Sequence, residues 1–376
     1  MNIFYCITFF HHGAGRALLD LAKEMVKRGH QAVIAATAKI DQFESQSDLI
    51  AEAEKAGIPV LLCRDLFTRD FRAVSASAGQ ITECFRQKPF DLIHSHAAVP
   101  GFAATLSAKQ AYGRFLPHIS TCHAWGPNKA DWMKLQDVLF LRSVDRVHAV
   151  SCDVAQYLQA EGVSPHLIQV IYNGCDFQRI DRLVKEPVDY SLQKKDKYRV
   201  GTVANLAERK GIAYLVEAVA KIPEKYLSGM DFFIVGDGDQ RADLQNKANA
   251  LNIGHYVRFI GYDANPYRYM KDFDLFVLPS LSEGLPVSLV EAMYLGIPVL
   301  TTDVQGNREI AGQGRGIVVP AQNSDVLARE IINAYETRLR PLDTVYDWVT
   351  RNFDRQYCFD QMFALYEKVL ERGARH

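Results

Sequence analysis

Short apolar runs alternate with segments of helical period from one end of this 376-residue chain to the other, and that alternation leaves few architectures open. Apolar runs without polar alternation are buried on both faces, the condition of a parallel strand covered by helices. Asn2–Phe10, Gln31–Ala36, Val60–Leu62, Asp91–His94, His118–Thr121, Arg146–Ala149 and Ile168–Ile171 read as strands of one sheet. Leu18, Leu21, Ala22, Met25 and Val26 give the first helix its apolar stripe, and Gly29 ends it. A second series runs through Arg199–Val203, Phe232–Val235, Val257–Ile260, Leu275–Leu278 and Val299–Thr301. The charged stretch Arg179–Lys197, with Lys194 and Lys195, reads as the linker. The length suits two α/β domains, 1–185 and 186–353, followed by an amphipathic helix over 354–372. In such sheets ligands bind beyond the carboxyl ends of the strands.

Charge narrows the partners. Lys plus Arg number 43 against 44 Asp plus Glu, with 19 basic and 18 acidic residues up to Val184, so neither half has the bias of a nucleic-acid binder. Seven scattered cysteines without a C-x-x-C fit free thiols in a reducing compartment, and a cytoplasmic protein is expected. Asn2–Phe10 lacks a basic leader and a cleavage signal, and no apolar run approaches a membrane span.

Chemistry concentrates in Ser282-Glu-Gly-Leu-Pro-Val-Ser-Leu-Val-Glu-Ala-Met293. Pro286 suits the first turn of a helix and Gly296 its end, so Glu283 falls in the entry loop and Glu291 inside the helix. The free amides of a helix start form a seat for phosphate, and the flanking carboxylates can accept hydrogen bonds from hydroxyls. Sugar hydroxyls, diphosphate and ribose hydroxyls follow one another in that way in a sugar nucleotide. The rise from Pro286 to Glu291, about 7.5 Å, is of the order of a diphosphate's length.

This segment resembles the E-x7-E signature of retaining glycosyltransferases of family four, and the resemblance extends over nearly the whole chain. It implies the GT-B fold, two Rossmann-like doubly wound domains facing across a cleft, and transfer of a sugar from a nucleoside diphosphate sugar, UDP-sugar first, with no cofactor and no metal. Within Gly201-Thr-Val-Ala-Asn-Leu-Ala-Glu-Arg-Lys-Gly211, Lys210 matches the family lysine that grips the diphosphate. The family arginine is absent: Asn205 stands in its place, so either Arg209 supplies the second charge or the grip is weaker. His11-His-Gly-Ala-Gly-Arg16 resembles the glycine-rich first loop, where Gly13 and Gly15 allow close approach. Arg16 is either a phosphate contact or a solvated first-turn residue. Ser120-Thr-Cys-His-Ala-Trp125 resembles the segment carrying a histidine at the reacting sugar, which gives His123 that role. The residues after Gly261, Tyr262 first, are expected at the nucleotide base. Gly284, Leu285, Val287, Ser288 and Leu289 are expected to face the diphosphate through their backbone, with Glu283 on the sugar and Glu291 on the ribose.

Blander patterns are read as structure. His94 and His96 share a face of an extended segment but find no third ligand, and Asp237-Gly-Asp239 and Asp272-Phe-Asp274 sit at a turn and before a strand. The stripe Trp132, Met133, Leu135, Val138, Leu139, Phe140 and Leu141 among Lys129, Lys134 and Arg142 fits either a core helix or a peripheral contact with the inner face of the cell membrane. The resemblance is to enzymes of bacterial surface polysaccharide or lipopolysaccharide assembly, with a glycan or lipid-linked acceptor. A sugar-nucleotide epimerase of the same fold and a non-catalytic GT-B scaffold remain as alternatives.

Overall fold

The computed structural model describes residues 1–40, 43–123, 129–187 and 196–373. Lys194 and Lys195 of the expected linker lie outside them, as do Ala124 and Trp125 of the histidine segment. The chain forms two compact units, Met1–Tyr172 with Cys358–His376, and Asn173–Tyr357.

The first unit is built on a seven-stranded sheet in the order Val60–Cys63, Gln31–Thr37, Asn2–Cys6, Leu92–Ser95, His118–Cys122, Arg146–Ala149, Ile168–Val170. Every pairing in it is parallel. Successive residues of the central strand serve opposite cores: Ile3 and Tyr5 pack with Leu18, Met25 and Ile119, and Phe4 and Cys6 with Phe85, Phe90 and Ile93. Burial on both faces explains why this strand reads as a continuous apolar run. The terminal helix Arg355–Gly373 contributes Met362, Phe363, Tyr366 and Val369 to the first of these cores.

The second unit carries a six-stranded sheet in the order Val257–Gly261, Met230–Val235, Tyr198–Val203, Leu275–Leu278, Val299–Thr302, Ile317–Val319, again parallel throughout. Ile317–Val319 is a strand that the apolar runs above do not include. Helices Ile212–Lys221 and Ser324–Thr337 cover one face with Leu215, Val216, Val219, Leu327 and Ile331. Helix Phe177–Leu183, which overlaps the start of the expected linker and precedes residue 186, belongs to this unit: the Phe177 ring stacks on Tyr294 at 4.1 Å, and the Tyr294 hydroxyl donates to Asp181.

In both sheets the first strand has neighbours that follow it in opposite directions along the chain order, Gln31–Thr37 and Leu92–Ser95 in one, Met230–Val235 and Leu275–Leu278 in the other. Such a reversal opens a crevice at the carboxyl ends of the two diverging strands.

Candidate active site

In the second unit the diverging strands deliver opposite charges to one point. Lys210 lies in the short turn Glu208–Lys210 after Tyr198–Val203, and Glu283 follows Leu275–Leu278. The Leu281 amide donates to the Arg209 carbonyl at 2.8 Å, stitching the two loops together. Gly211, at φ +64°, lets them meet, since a Cβ there would stand 2.1 Å from the Pro279 carbonyl oxygen. The Lys210 ammonium donates to Glu283 Oε1 at 2.5 Å and the Ser280 hydroxyl to the same oxygen at 2.7 Å. Arg209 Nη1 stands 3.7 Å from Glu283 Oε2. The Glu283 side chain is 5% exposed, Lys210 13% and Arg209 54%, so a buried carboxylate is held by two cations of which one reaches into solvent. Arg209 therefore arrives where the arginine missing at Asn205 left a question. Asn205 itself packs its Oδ1 against Gly238, where a Cβ would lie 2.8 Å away.

Helix Val287–Tyr294 starts after Pro286, with Glu283 before it and Glu291 within it. Helix geometry leaves the Val287 and Ser288 amides without an intrahelical acceptor, whereas the Leu289 amide, expected to face the diphosphate, donates to the Pro286 carbonyl at 3.0 Å. Leu289 itself is fully buried in the core. Leu285 is half-buried, and the buried Gly284 turns its carbonyl toward Gly306, where a Cβ would come within 2.6 Å. Glu291 accepts from the Tyr267 hydroxyl at 2.8 Å, and burial raises its carboxyl to about 7 against the opposing pull of that bond and of Arg179. Tyr262 follows Gly261 with its ring 75% exposed, and the Gly261 carbonyl accepts from the Gly236 amide at 2.8 Å.

In the first unit the expected first loop is shorter than the sequence suggests. Helix His12–Lys27 begins early enough to place Gly13, Gly15 and Arg16 in its first turn. Nothing lies within 4 Å of a Cβ added at Gly13, but at Gly15 one would meet the Phe10 backbone at 3.1 Å and Leu49 at 3.2 Å. Close approach at Gly15 thus serves packing. Arg16 bonds both carboxylate oxygens of Glu52, at 2.9 and 2.8 Å, and Lys23 shares that acid.

Across the neighbouring strands runs a chain of neutral hydrogen bonds. His148 Nε2 bonds the Ile171 carbonyl and its Nδ1 the Thr121 hydroxyl; Thr121 meets His94 Nε2 at 2.6 Å, and His94 Nδ1 meets the Tyr366 hydroxyl at 2.6 Å. His94 and His96, read above as structural, are hydrogen-bonded, and no cluster of three potential metal ligands occurs among the described residues. His96 Nδ1 bonds His123 Nε2 at 2.9 Å. Burial drives His123 down to about 3 and His148 to about 4, with His94 and His96 also well below the ordinary imidazole range. His96, Ser120, Thr121, His123, Lys129 and Asp137 line a chamber of about 110 Å³. Its uncharged imidazoles suit hydroxyls. Sequence spacing did not disclose Ser280, Tyr267, Thr121, His148 or Tyr366 as partners in these networks.

Residues 11–179 match the family model described as Glycosyltransferase Family 4, and residues 186–346 the one described as Glycosyl transferases group 1. Over 290 residues the chain is 30% identical to the putative teichuronic acid biosynthesis glycosyltransferase TuaC of Bacillus subtilis, covering 74% of this chain and 71% of that protein. The chain belongs to the family 4 glycosyltransferases. A second glycosyltransferase relative, the UDP-Gal:alpha-D-GlcNAc-diphosphoundecaprenol alpha-1,3-galactosyltransferase of Escherichia coli, is 25% identical over 274 residues, 69% of each chain. The crystal structure of Anabaena HepE in complex with UDP aligns over 98% of this chain and 100% of that one, with a TM-score of 0.81 at 20% identity. The likeness gives this glycosyltransferase the GT-B fold, in agreement with the sequence. No described helix is long and apolar enough to cross a membrane.

Proposed function

We propose that this glycosyltransferase moves a sugar from a UDP-sugar to a hydroxyl of a glycan or lipid-linked acceptor in bacterial surface polysaccharide assembly, with retention at the anomeric carbon. The observation that carries the reading is the junction of Lys210, Arg209 and Glu283 at the chain-order reversal of the second sheet, beside the open amides of Val287 and Ser288. Named substrates of the Escherichia coli relative and the nucleotide in the HepE crystal support the choice of UDP and of a lipid-linked acceptor.

An ammonium carries three donors, of which Lys210 gives one to Glu283, leaving it able to hold a diphosphate oxygen. As the glycosidic bond breaks, negative charge grows on the leaving diphosphate; Lys210, Arg209 and the two amides stabilise it. Glu283 holds sugar hydroxyls and Glu291 accepts from the ribose. Asn205 and Tyr262 border the nucleotide. Within the first unit, Gly13 leaves open space for a ligand and neutral His123 bonds a sugar hydroxyl. The leaving phosphate takes the acceptor proton on the face it departs from. A peripheral contact with the membrane brings the enzyme to a lipid-linked acceptor.

Thermal melting with UDP, GDP and ADP tests this, because a ligand at a hundred times its Kd adds about 2.7 kcal/mol. UDP should raise the melting temperature most. A larger shift with GDP would overturn the choice of base, and no shift with any of the three would remove the nucleotide site.

A further inference from the structure

A second cavity of the first unit, about 550 Å³, lies between helices Phe71–Gln87, Ala98–Tyr112 and Asp131–Leu141. Phe71, Val74, Val99, Phe102, Leu139 and Phe140 wall it. Phe71 is 76%, Phe102 47% and Leu139 57% exposed, a concentration of apolar surface that water covers at a cost. The volume is that of an ordinary small-molecule pocket.

This groove adjoins the histidine chamber. Ala98 lines both cavities. Arg69, on the groove wall, donates to Asp137 at 2.6 Å, and Lys129 pairs with the other oxygen of that acid in the chamber. Two cations meet one carboxylate at the junction, which leaves a net positive charge there. His96, which lines the chamber, has its Nε2 buried without a hydrogen-bond partner, on a residue only 8% exposed. A buried polar atom in that state awaits a ligand hydroxyl or pays for its desolvation.

Resting on the transferase reading, we propose that groove and chamber form one acceptor site for a prenyl-phosphate-linked sugar. The hydrocarbon tail fills the groove, the phosphate meets Arg69 and Lys129, and a sugar hydroxyl reaches His96 Nε2 beside His123. A peptide in the groove would leave its amides unbonded against apolar walls, whereas a prenyl chain has none to satisfy. The surface is a concavity, suited to one chain; a bilayer asks for a projecting face.

Trp132 reports on the site, since the Arg69 guanidinium lies 6.0 Å from its ring centre. The full chain is titrated with farnesyl phosphate, farnesol and inorganic phosphate while Trp132 fluorescence is followed. Saturable binding of farnesyl phosphate is expected, weaker binding of farnesol, and none of inorganic phosphate at the same concentration. Phe102→Glu and Leu139→Glu should each raise the farnesyl phosphate Kd by about tenfold or more, with the melting shift caused by UDP intact. Arg69→Met should weaken farnesyl phosphate and leave farnesol unchanged. Absence of saturable binding, or binding indifferent to both glutamates, overturns the proposal. So does loss of adhesion to phosphatidylglycerol vesicles in these variants with farnesyl phosphate affinity unchanged, which would make the face a membrane contact. A chain that binds farnesyl phosphate in the expected manner yet transfers no sugar would uphold the site and sink the transferase reading. Transfer to a soluble sugar acceptor without farnesyl phosphate binding would do the reverse.

Discussion

In and after the strands of the first sheet the buried polar groups are mainly uncharged imidazoles and hydroxyls, with the Lys129–Asp137 ion pair beside them; after those of the second they are a lysine, an arginine and two glutamates. Each sheet reverses its chain order beside its first strand, so the backbone offers each unit the same kind of crevice. What differs is the chemistry the side chains allow. Neutral His94, His96, His123 and His148 exchange hydrogen bonds with Thr121 and Tyr366 and are matched to hydroxyls. The ion pair of Lys210 and Glu283, with Arg209 beside it, is the group that we propose for a diphosphate. Duplicated architecture thus supports a division of labour, and four measurements can break it or sharpen it.

The largest effect is expected at Lys210. Lys210→Ala removes the group proposed to stabilise the leaving diphosphate and should lower kcat by about 10²–10³-fold. It also leaves Glu283 buried with only Arg209 and Ser280, so the melting temperature should fall. Steady-state rates and a melting curve check both. A rate near that of the unaltered chain would remove the charged half of the comparison.

Acid should then separate the units. His94, His96, His118, His123 and His148 are all held below their ordinary value by burial, His118 and His123 to about 3 and His148 to about 4. An unfolded chain takes up these protons first, so their contribution is present above about pH 6.5 and is lost as pH falls toward 4, by several kcal/mol in all. Glu291 runs in the opposite sense. Its carboxyl is raised to about 7, so the contribution is present below its ordinary 4.5 and is lost as pH rises through 7. Hydrogen exchange followed peptide by peptide should show strands Leu92–Ser95 and His118–Cys122 losing protection first between pH 6.5 and 4, while helix Val287–Tyr294 does not. Parallel loss in both would contradict the contrast.

Glu291→Gln sharpens the second unit alone. Removing a carboxylate that burial disfavours should stabilise the fold at pH 8, by on the order of 3 kcal/mol at most. The same change should weaken UDP binding by about tenfold, a lost charge-assisted hydrogen bond. In the unaltered chain UDP affinity should decline as pH falls below 7, and the variant should lose the part of that dependence that Glu291 supplies. Calorimetric titration across pH decides. The smallest effect is expected for Asn205→Arg. Arg209 already reaches Glu283, and Gly238 crowds position 205, so the donor Kd should move by less than about threefold.

The pattern of strands was legible because parallel strands buried on both faces must be apolar runs, as Ile3, Phe4, Tyr5 and Cys6 illustrate. Ile317–Val319 was not among the runs read, although Ile168–Val170, equally short and also at a sheet edge, was. Helix Phe177–Leu183 was hidden in charge: only Phe177 and Ile180 are buried, and the rest of its sequence reads as linker. Pro286 and Gly296 announced the helix that separates Glu283 from Glu291 through local backbone rules. The partners of those acids were illegible. Lys210 lies 73 residues from Glu283, and Tyr267 lies 24 from Glu291, separations that no helical or strand period spans. His94 likewise finds Tyr366 across 272 residues. The chain's own departure, Asn205, was visible at once, but the place of Arg209 beside Glu283 was not, since its loop is held by the bond between its carbonyl and the Leu281 amide.

A crystal structure of the chain with UDP tests the division of labour most directly. The account predicts diphosphate oxygens within hydrogen-bonding distance of Lys210 and the Val287 and Ser288 amides, ribose hydroxyls on Glu291, and the His96–His123 chamber free of nucleotide. UDP bound in the histidine chamber, or bound in the second unit with its ribose turned away from Glu291, would contradict it.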